Sequence, residues 1–147
     1  MRESWPGYAA ALWALIFAVL HVVWAAGWYV GLDWELSRKA FQQPWFLVYD
    51  LVVAGLCALA VWVALALVRP WGRRLPRPLV GGLAWCGSAM LVLRAGAGVA
   101  QTAYVVYSSP STLAVYQLWE LWFSVGAVIF GLSTWRFWRA STDTLGE

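Results

Sequence analysis

Trp45-Phe46-Leu47-Val48-Tyr49-Asp50-Leu51-Val52-Val53-Ala54-Gly55-Leu56-Cys57-Ala58-Leu59-Ala60-Val61-Trp62-Val63-Ala64-Leu65-Ala66-Leu67-Val68 is an apolar run whose one carboxylate is Asp50. A helix that crosses a bilayer needs roughly 20 predominantly apolar residues, so this run by itself predicts a membrane span. Its ends are punctuated: Gln42-Gln43-Pro44 precedes it and Arg69-Pro70-Trp71-Gly72 follows it. Working outward, three more such stretches lie near Tyr8–Leu32, Leu79–Val106 and Leu113–Trp138, the last two separated by Ser108-Ser109-Pro110-Ser111. Short connections place sequential helices side by side and antiparallel. The fold expected is all-α, an integral membrane antiparallel four-helix bundle, with residues 1–147 forming a single transmembrane domain.

Composition points the same way. Hydrophobic residues make up 63% of the chain and charged ones 12%, with a mean hydropathy of +0.67. Soluble domains run at about 45–50% apolar and about 25% charged. Thirteen Trp, six Tyr and six Phe exceed what two interfacial belts ordinarily use. The first stretch is longer than the core of a signal peptide and contains His21, so it is expected to be a retained helix.

Arginine sets the orientation. Arg69, Arg73, Arg74 and Arg77 occupy the second connection, Arg136 and Arg139 end the last stretch, and Arg2 lies at the amino terminus. The opposite side has Arg38 and Lys39, offset by Asp33 and Glu35. Both termini are therefore expected on the cytoplasmic side of a bacterial-type inner membrane, in a multi-pass topology. The basic connection fits contact with anionic membrane lipid rather than nucleic acid. Cys57 and Cys86 fall at different depths and form no C-x-x-C pair, so both are read as small packing residues.

Ionisable groups inside a bilayer cost about 2.5–3.5 kcal/mol each on insertion scales and need a partner or a purpose. This chain has four, one per stretch: His21, Asp50, Arg94 and Glu120. A rise of about 1.5 Å per residue puts all four between the outer surface and the midplane. One shared, outward-opening cavity is the expectation. Trp13, Phe17, His21, Trp24 and Trp28 form an aromatic stripe at helical spacing. Trp24, Trp28, Tyr49, Gln101, Tyr116, Trp119, Trp122 and Phe123 are the candidate lining. Counted from the turn near Ser109, Glu120 is the nearer partner for Arg94, which leaves Asp50 to His21 or Tyr49. Two carboxylates against one arginine leave one acid without a cation, and an apolar setting favours the neutral form of such a group. A neutral carboxylic acid among aromatic faces is a Brønsted acid in surroundings that stabilise a cation. Asp50 is then the expected proton donor, with Glu120, Arg94 and His21 completing the catalytic set.

A single histidine and no Cys/His cluster argue against a zinc site; no metal and no cofactor are expected. There is no G-x-S-x-G, no Walker loop and no dinucleotide fingerprint. Nor is there a D-x-D-D or a D-D-x-x-D. What remains is proton chemistry on an apolar molecule, or binding without chemistry.

Val48-Tyr49-Asp50-Leu51 and Leu118-Trp119-Glu120-Leu121-Trp122 resemble, as acids set among aromatic rings, the small bacterial membrane-bound terpene cyclases of indole-sesquiterpene and diketopiperazine-terpene pathways. The larger fungal meroterpenoid cyclases are similar in site type only, having more helices. His21 through Trp24 and Gly27, with Leu93-Arg94-Ala95-Gly96, also looks like a group of small actinobacterial four-helix membrane proteins. The resemblance implies protonation of a terminal alkene on a prenylated small molecule, cation–olefin ring closure and loss of a proton. Two alternatives stay open. One is a tryptophan-rich lipid- or tetrapyrrole-binding protein without catalysis. The other is a structural subunit whose buried charges only fix helix register.

Overall fold

Proline marks two helix starts. Pro6 and Pro44 occupy the first turn of their helices, where the missing N–H is one that has no intrahelical partner anyway. The structure, a computed structural model, describes the backbone of residues 4–108 and 116–142 and the side chains of residues 4–107 and 119–139. Among these residues there are five α-helices and no strand: α1 (Trp5–Ala25), α2 (Trp34–Phe41), α3 (Pro44–Val68), α4 (Arg77–Ser108) and α5 (Tyr116–Thr142). A short 3-10 turn, Pro70–Arg74, joins α3 to α4.

The first helix ends seven residues before the expected Leu32. Gly27, at φ 91°, donates to the Trp24 carbonyl at 2.9 Å, and the Trp28 N–H reaches back to the Val23 carbonyl at 3.1 Å. These are the paired bonds of a Schellman stop, which needs a left-handed residue and here finds glycine. Asp33 then caps the unforeseen helix α2, its carboxylate accepting from the Leu36 N–H at 2.8 Å. Glu35 in the first turn of α2 and Arg38 and Lys39 in the last complement the helix dipole. Apolar side chains continue straight through this break, so hydropathy alone does not register it. The other helices begin and end within a few residues of expectation, except that the start expected for the last one at Leu113 lies outside the described residues.

Among the described residues three helical segments are long and apolar enough to cross a membrane: α1, α3 and residues Arg77–Tyr107 of α4. Four were expected. Helix α5 carries Glu120, Ser124, Ser133, Thr134, Arg136, Arg139 and four indoles, which dilute its aliphatic content.

Helix α1 runs antiparallel to α3 and to α5, and α4 antiparallel to α5. α1 packs most extensively on α3, α4 on α5, and α1 also on α5. Small side chains set the spacing: Ala10, Ala14 and Ala64 are fully buried where α1 meets α3, and close backbone approach gains dispersion contacts. A Cβ on Gly126 would strike the indole of Trp13, so glycine here admits the largest ring of the core. Between α4 and α5, Ser88 donates to the Ala84 carbonyl at 2.8 Å and lies 3.0 Å from the Thr134 hydroxyl. Cys57 is buried, Cys86 is exposed and both are free.

The two ends of the helices differ in charge. Arg69, Arg73, Arg74 and Arg77 are exposed at one end. There Arg69 lies over Tyr8, Arg136 over Trp5 and Arg139 over Trp135, at 5.3, 5.8 and 4.1 Å. Asp33, Glu35, Arg38 and Lys39 occupy the other end.

Candidate functional site

Helix α1 places Phe17, His21 and Trp24 on one face by their i, i+4, i+7 spacing. Helix α3 does the same with Asp50, Ala54 and Cys57, and all six are buried. Where the two faces meet, His21 Nδ1 and Asp50 Oδ1 lie 2.6 Å apart, with only 7% of the histidine and 3% of the aspartate exposed. That separation is a hydrogen bond's. The outer atoms of the pair, His21 Nε2 and Asp50 Oδ2, are buried and have no hydrogen-bond partner. Buried polar atoms are nearly always satisfied, so two open ones on a single pair require an explanation.

Aromatic rings enclose the pair. Phe17 meets the imidazole edge to face at 4.6 Å, and Trp24 does so at 4.8 Å. Trp119 packs against Trp24 at 5.4 Å and Phe17 at 6.3 Å, and Phe123 lies 5.2 Å from Phe17. Two indoles are themselves anchored to backbone: Trp24 Nε1 donates to the Val30 carbonyl at 2.9 Å and Trp119 Nε1 to that of Gly31 at 3.1 Å.

The second polar pair joins α4 to α5. Arg94 binds Glu120 through two hydrogen bonds, of 2.6 and 2.9 Å. Its guanidinium carbon lies 4.3 Å above the ring of Phe123. A Cβ on Gly98 would fall onto the Glu120 carboxylate, so glycine one turn beyond Arg94 makes the room in which this pair forms. The Arg94 side chain is 41% exposed and that of Glu120 is 15% exposed.

The four ionisable groups therefore resolve into two separate pairs. A chain of ring contacts lies between them, from His21 to Phe17, from Phe17 to Phe123, and from Phe123 to Arg94. His21 and Asp50 are buried, whereas an outward-opening cavity was expected from the shared depth of the four groups. The His21–Asp50 pair is enclosed. A groove of about 250 Å³ lies elsewhere, along α2, lined by Trp34, Glu35, Arg38, Lys39 and Gln42. Equal depth puts side chains in one layer, but the bulk of the rings between them decides whether they share a space.

The candidate lining divides accordingly. Trp24, Trp119 and Phe123 surround the pairs as described. Trp122 stacks on Trp13 at 5.6 Å and accepts the Trp13 indole N–H at its carbonyl, while its own Nε1 is buried without a partner. Trp28 is 72% exposed and points away from the pair's enclosure; Tyr49 is 56% exposed and packs on Phe46 at 5.9 Å. Gln101 is also exposed. Tyr116 opens α5, but its side chain lies outside the described residues. Sequence reasoning missed the Val30 and Gly31 carbonyls that anchor two of the rings. The signal was the pair of glycines, Gly27 and Gly31, flanking Trp28-Tyr29-Val30.

The model of one protein family, described as "Protein of unknown function (DUF3995)", matches residues 14–132. That span includes both polar pairs and every ring around them. No solved structure matches the chain.

Proposed function

We propose that this chain, which belongs to the DUF3995 family of proteins of unknown function, is an integral membrane four-helix protein whose buried Asp50 protonates an apolar, prenylated small molecule and drives its cyclisation. One observation carries the proposal: a buried carboxyl held at one oxygen by His21, whose imidazole packs against Phe17 and Trp24, and without a partner at the other. The membrane setting is supported by three helices of spanning length and apolarity. The many exposed large hydrophobics, among them Leu56, Leu59, Val92, Leu93 and Val99, support it as well. The arginine-rich end faces the cytoplasm on this proposal, with both termini on that side of the inner membrane.

The chemistry balances as an isomerisation. Asp50 gives the proton on Oδ2 to the less substituted carbon of the terminal alkene, and the π electrons form the new C–H bond. The resulting tertiary cation is attacked by a second olefin, which forms the ring C–C bond and moves the positive charge onward. A neighbouring C–H then loses its proton to the Asp50 carboxylate, directly or through His21 Nε2, and the enzyme is restored. Aromatic faces stabilise the cation by up to about 2 kcal/mol per desolvated contact. His21 fixes the carboxyl and supports its charged form between the two proton transfers. Glu120 neutralises Arg94 and holds α4 against α5.

The test is incubation of the detergent-solubilised protein with prenylated indoles, followed by mass spectrometry and NMR. An isomer of unchanged mass with one more ring is the expected product. Unaltered substrate, together with a co-purified lipid or pigment, would instead establish a binding protein. A structural role is the second reading, favoured by the tight enclosure of the His21–Asp50 pair. On that reading Asp50→Asn shifts the melting temperature and no substrate is turned over.

A further inference from the structure

We infer that the strap from Gly27 to Leu32 is the door through which a ligand reaches the His21–Asp50 pair, and that Trp119 is its latch. The inference rests on the pair acting on an apolar molecule, because an enclosed site that turns over a substrate must open somewhere.

The strap is built to move as a unit. Gly27 at φ 91° and Gly31 at φ 74° are the two positive-φ residues among those described, and they stand near its two ends. A Cβ on Gly27 would meet nothing within 4 Å, so glycine is present there for its backbone freedom and not for space. Inside the strap the backbone bonds are local, Val30 to Trp28 at 2.9 Å and Leu32 to Tyr29 at 3.2 Å. Such bonds travel with the segment when it swings.

Its inner side closes the site. Tyr29 and Leu32 pack against the cluster of Phe17, Trp24 and Cys57, which adjoins the His21–Asp50 pair. Its outer side faces away, with Trp28 72% and Val30 60% exposed. Two indole hydrogen bonds hold it down. The Trp24 bond to Val30 comes from α1, the helix that leads into the strap, and the Trp119 bond to Gly31 comes from α5 across 88 positions of sequence. Of these two hydrogen bonds, the Trp119 bond is the one that ties the strap to a distant part of the chain. Trp119 also packs on Trp24 and Phe17, so releasing its indole loosens door and wall together.

Cys57 reports on the opening without any substrate. It is buried behind the strap, whereas Cys86 on α4 is exposed and serves as an internal reference. The probe is methyl methanethiosulfonate, applied to the full chain in detergent, with modification of each cysteine followed by peptide mass spectrometry. Trp119→Phe keeps the ring and removes the N–H. It is expected to raise the rate at Cys57 roughly three- to tenfold, the factor that loss of one hydrogen bond gives an opening equilibrium, with Cys86 unchanged. Gly31→Ala is the second variant: its φ disfavours alanine and the new Cβ would lie 3.1 Å from Trp119 Cζ2, so the same selective rise is expected. An unchanged Cys57 rate in both variants would overturn the inference, and so would an equal acceleration at both cysteines. Because no turnover is measured, a failure of the proposed catalysis leaves this result standing, and the reverse holds too.

Discussion

His21 and Asp50 meet between α1 and α3 through one hydrogen bond, whereas Arg94 and Glu120 meet between α4 and α5 through two. The first pair is almost wholly buried and leaves an atom open on each partner. The second is partly exposed, bidentate, and backed by the face of Phe123. Bidentate arginine–carboxylate geometry satisfies both partners and fixes orientation, as expected of a tie between helices. A buried pair with spare valence is poorly designed as a tie and well designed for receiving or giving a proton. On the proposed function, what sets the first pair apart is neither burial nor pairing alone but unspent hydrogen-bonding capacity on both partners.

Replacing the acid breaks this comparison most severely. Asp50→Asn preserves shape and should lower turnover by about 10²–10⁴-fold, the range that positioned acid–base groups contribute; product yield per hour measures it. His21→Asn removes Nε2 while keeping a side-chain N–H, and about a tenfold loss is expected in the same assay, because the carboxyl survives with its support weakened. On the other pair the effect falls on stability. Gly98→Ala pushes a methyl group onto the Glu120 carboxylate and separates it from Arg94. A cost of about 1–3 kcal/mol is expected, read as a fall of roughly 3–10 °C in melting temperature, with turnover reduced far less than in Asp50→Asn. The smallest effect belongs to Ser88→Ala, which deletes the contact to Thr134. Polar contacts between such helices average about 0.6 kcal/mol, so a shift of only about 1–3 °C is expected, with no change in product.

How far these pairs can be read from the chain alone follows from what each depends on. Arg94 and Glu120 are matched by counting along the sequence in both directions from the turn expected at Ser109, since rise per residue is nearly constant and a long arginine side chain absorbs the remainder. The apolar runs give the long helices for the same reason: burial periodicity and length are local properties. The end of α1 is different, because Gly27 stops the helix by its dihedral angle while Trp28, Tyr29 and Val30 keep the stretch apolar. Helix α2 follows from the Asp33 cap, a signal three residues long set inside a connection that looks too short for a helix. Enclosure of the His21–Asp50 pair depends on how Phe17, Trp24 and Trp119 fill the space between three helices. Such packing is long-range and leaves no pattern in any single segment.

The division of labour between the two acids is tested most directly by running the cyclisation in deuterium oxide with Asp50→Asn and Glu120→Gln side by side. The wild-type protein and Glu120→Gln are predicted to deliver one deuterium per product molecule, at the alkene carbon that receives the proton. Glu120→Gln is also predicted to melt at a lower temperature, because Arg94 loses its partner. Asp50→Asn is predicted to give no deuterated product and to melt close to the wild type. Near-normal deuterated product from Asp50→Asn, with Glu120→Gln inactive yet equally stable, would contradict the assignment and move the acid to the other pair.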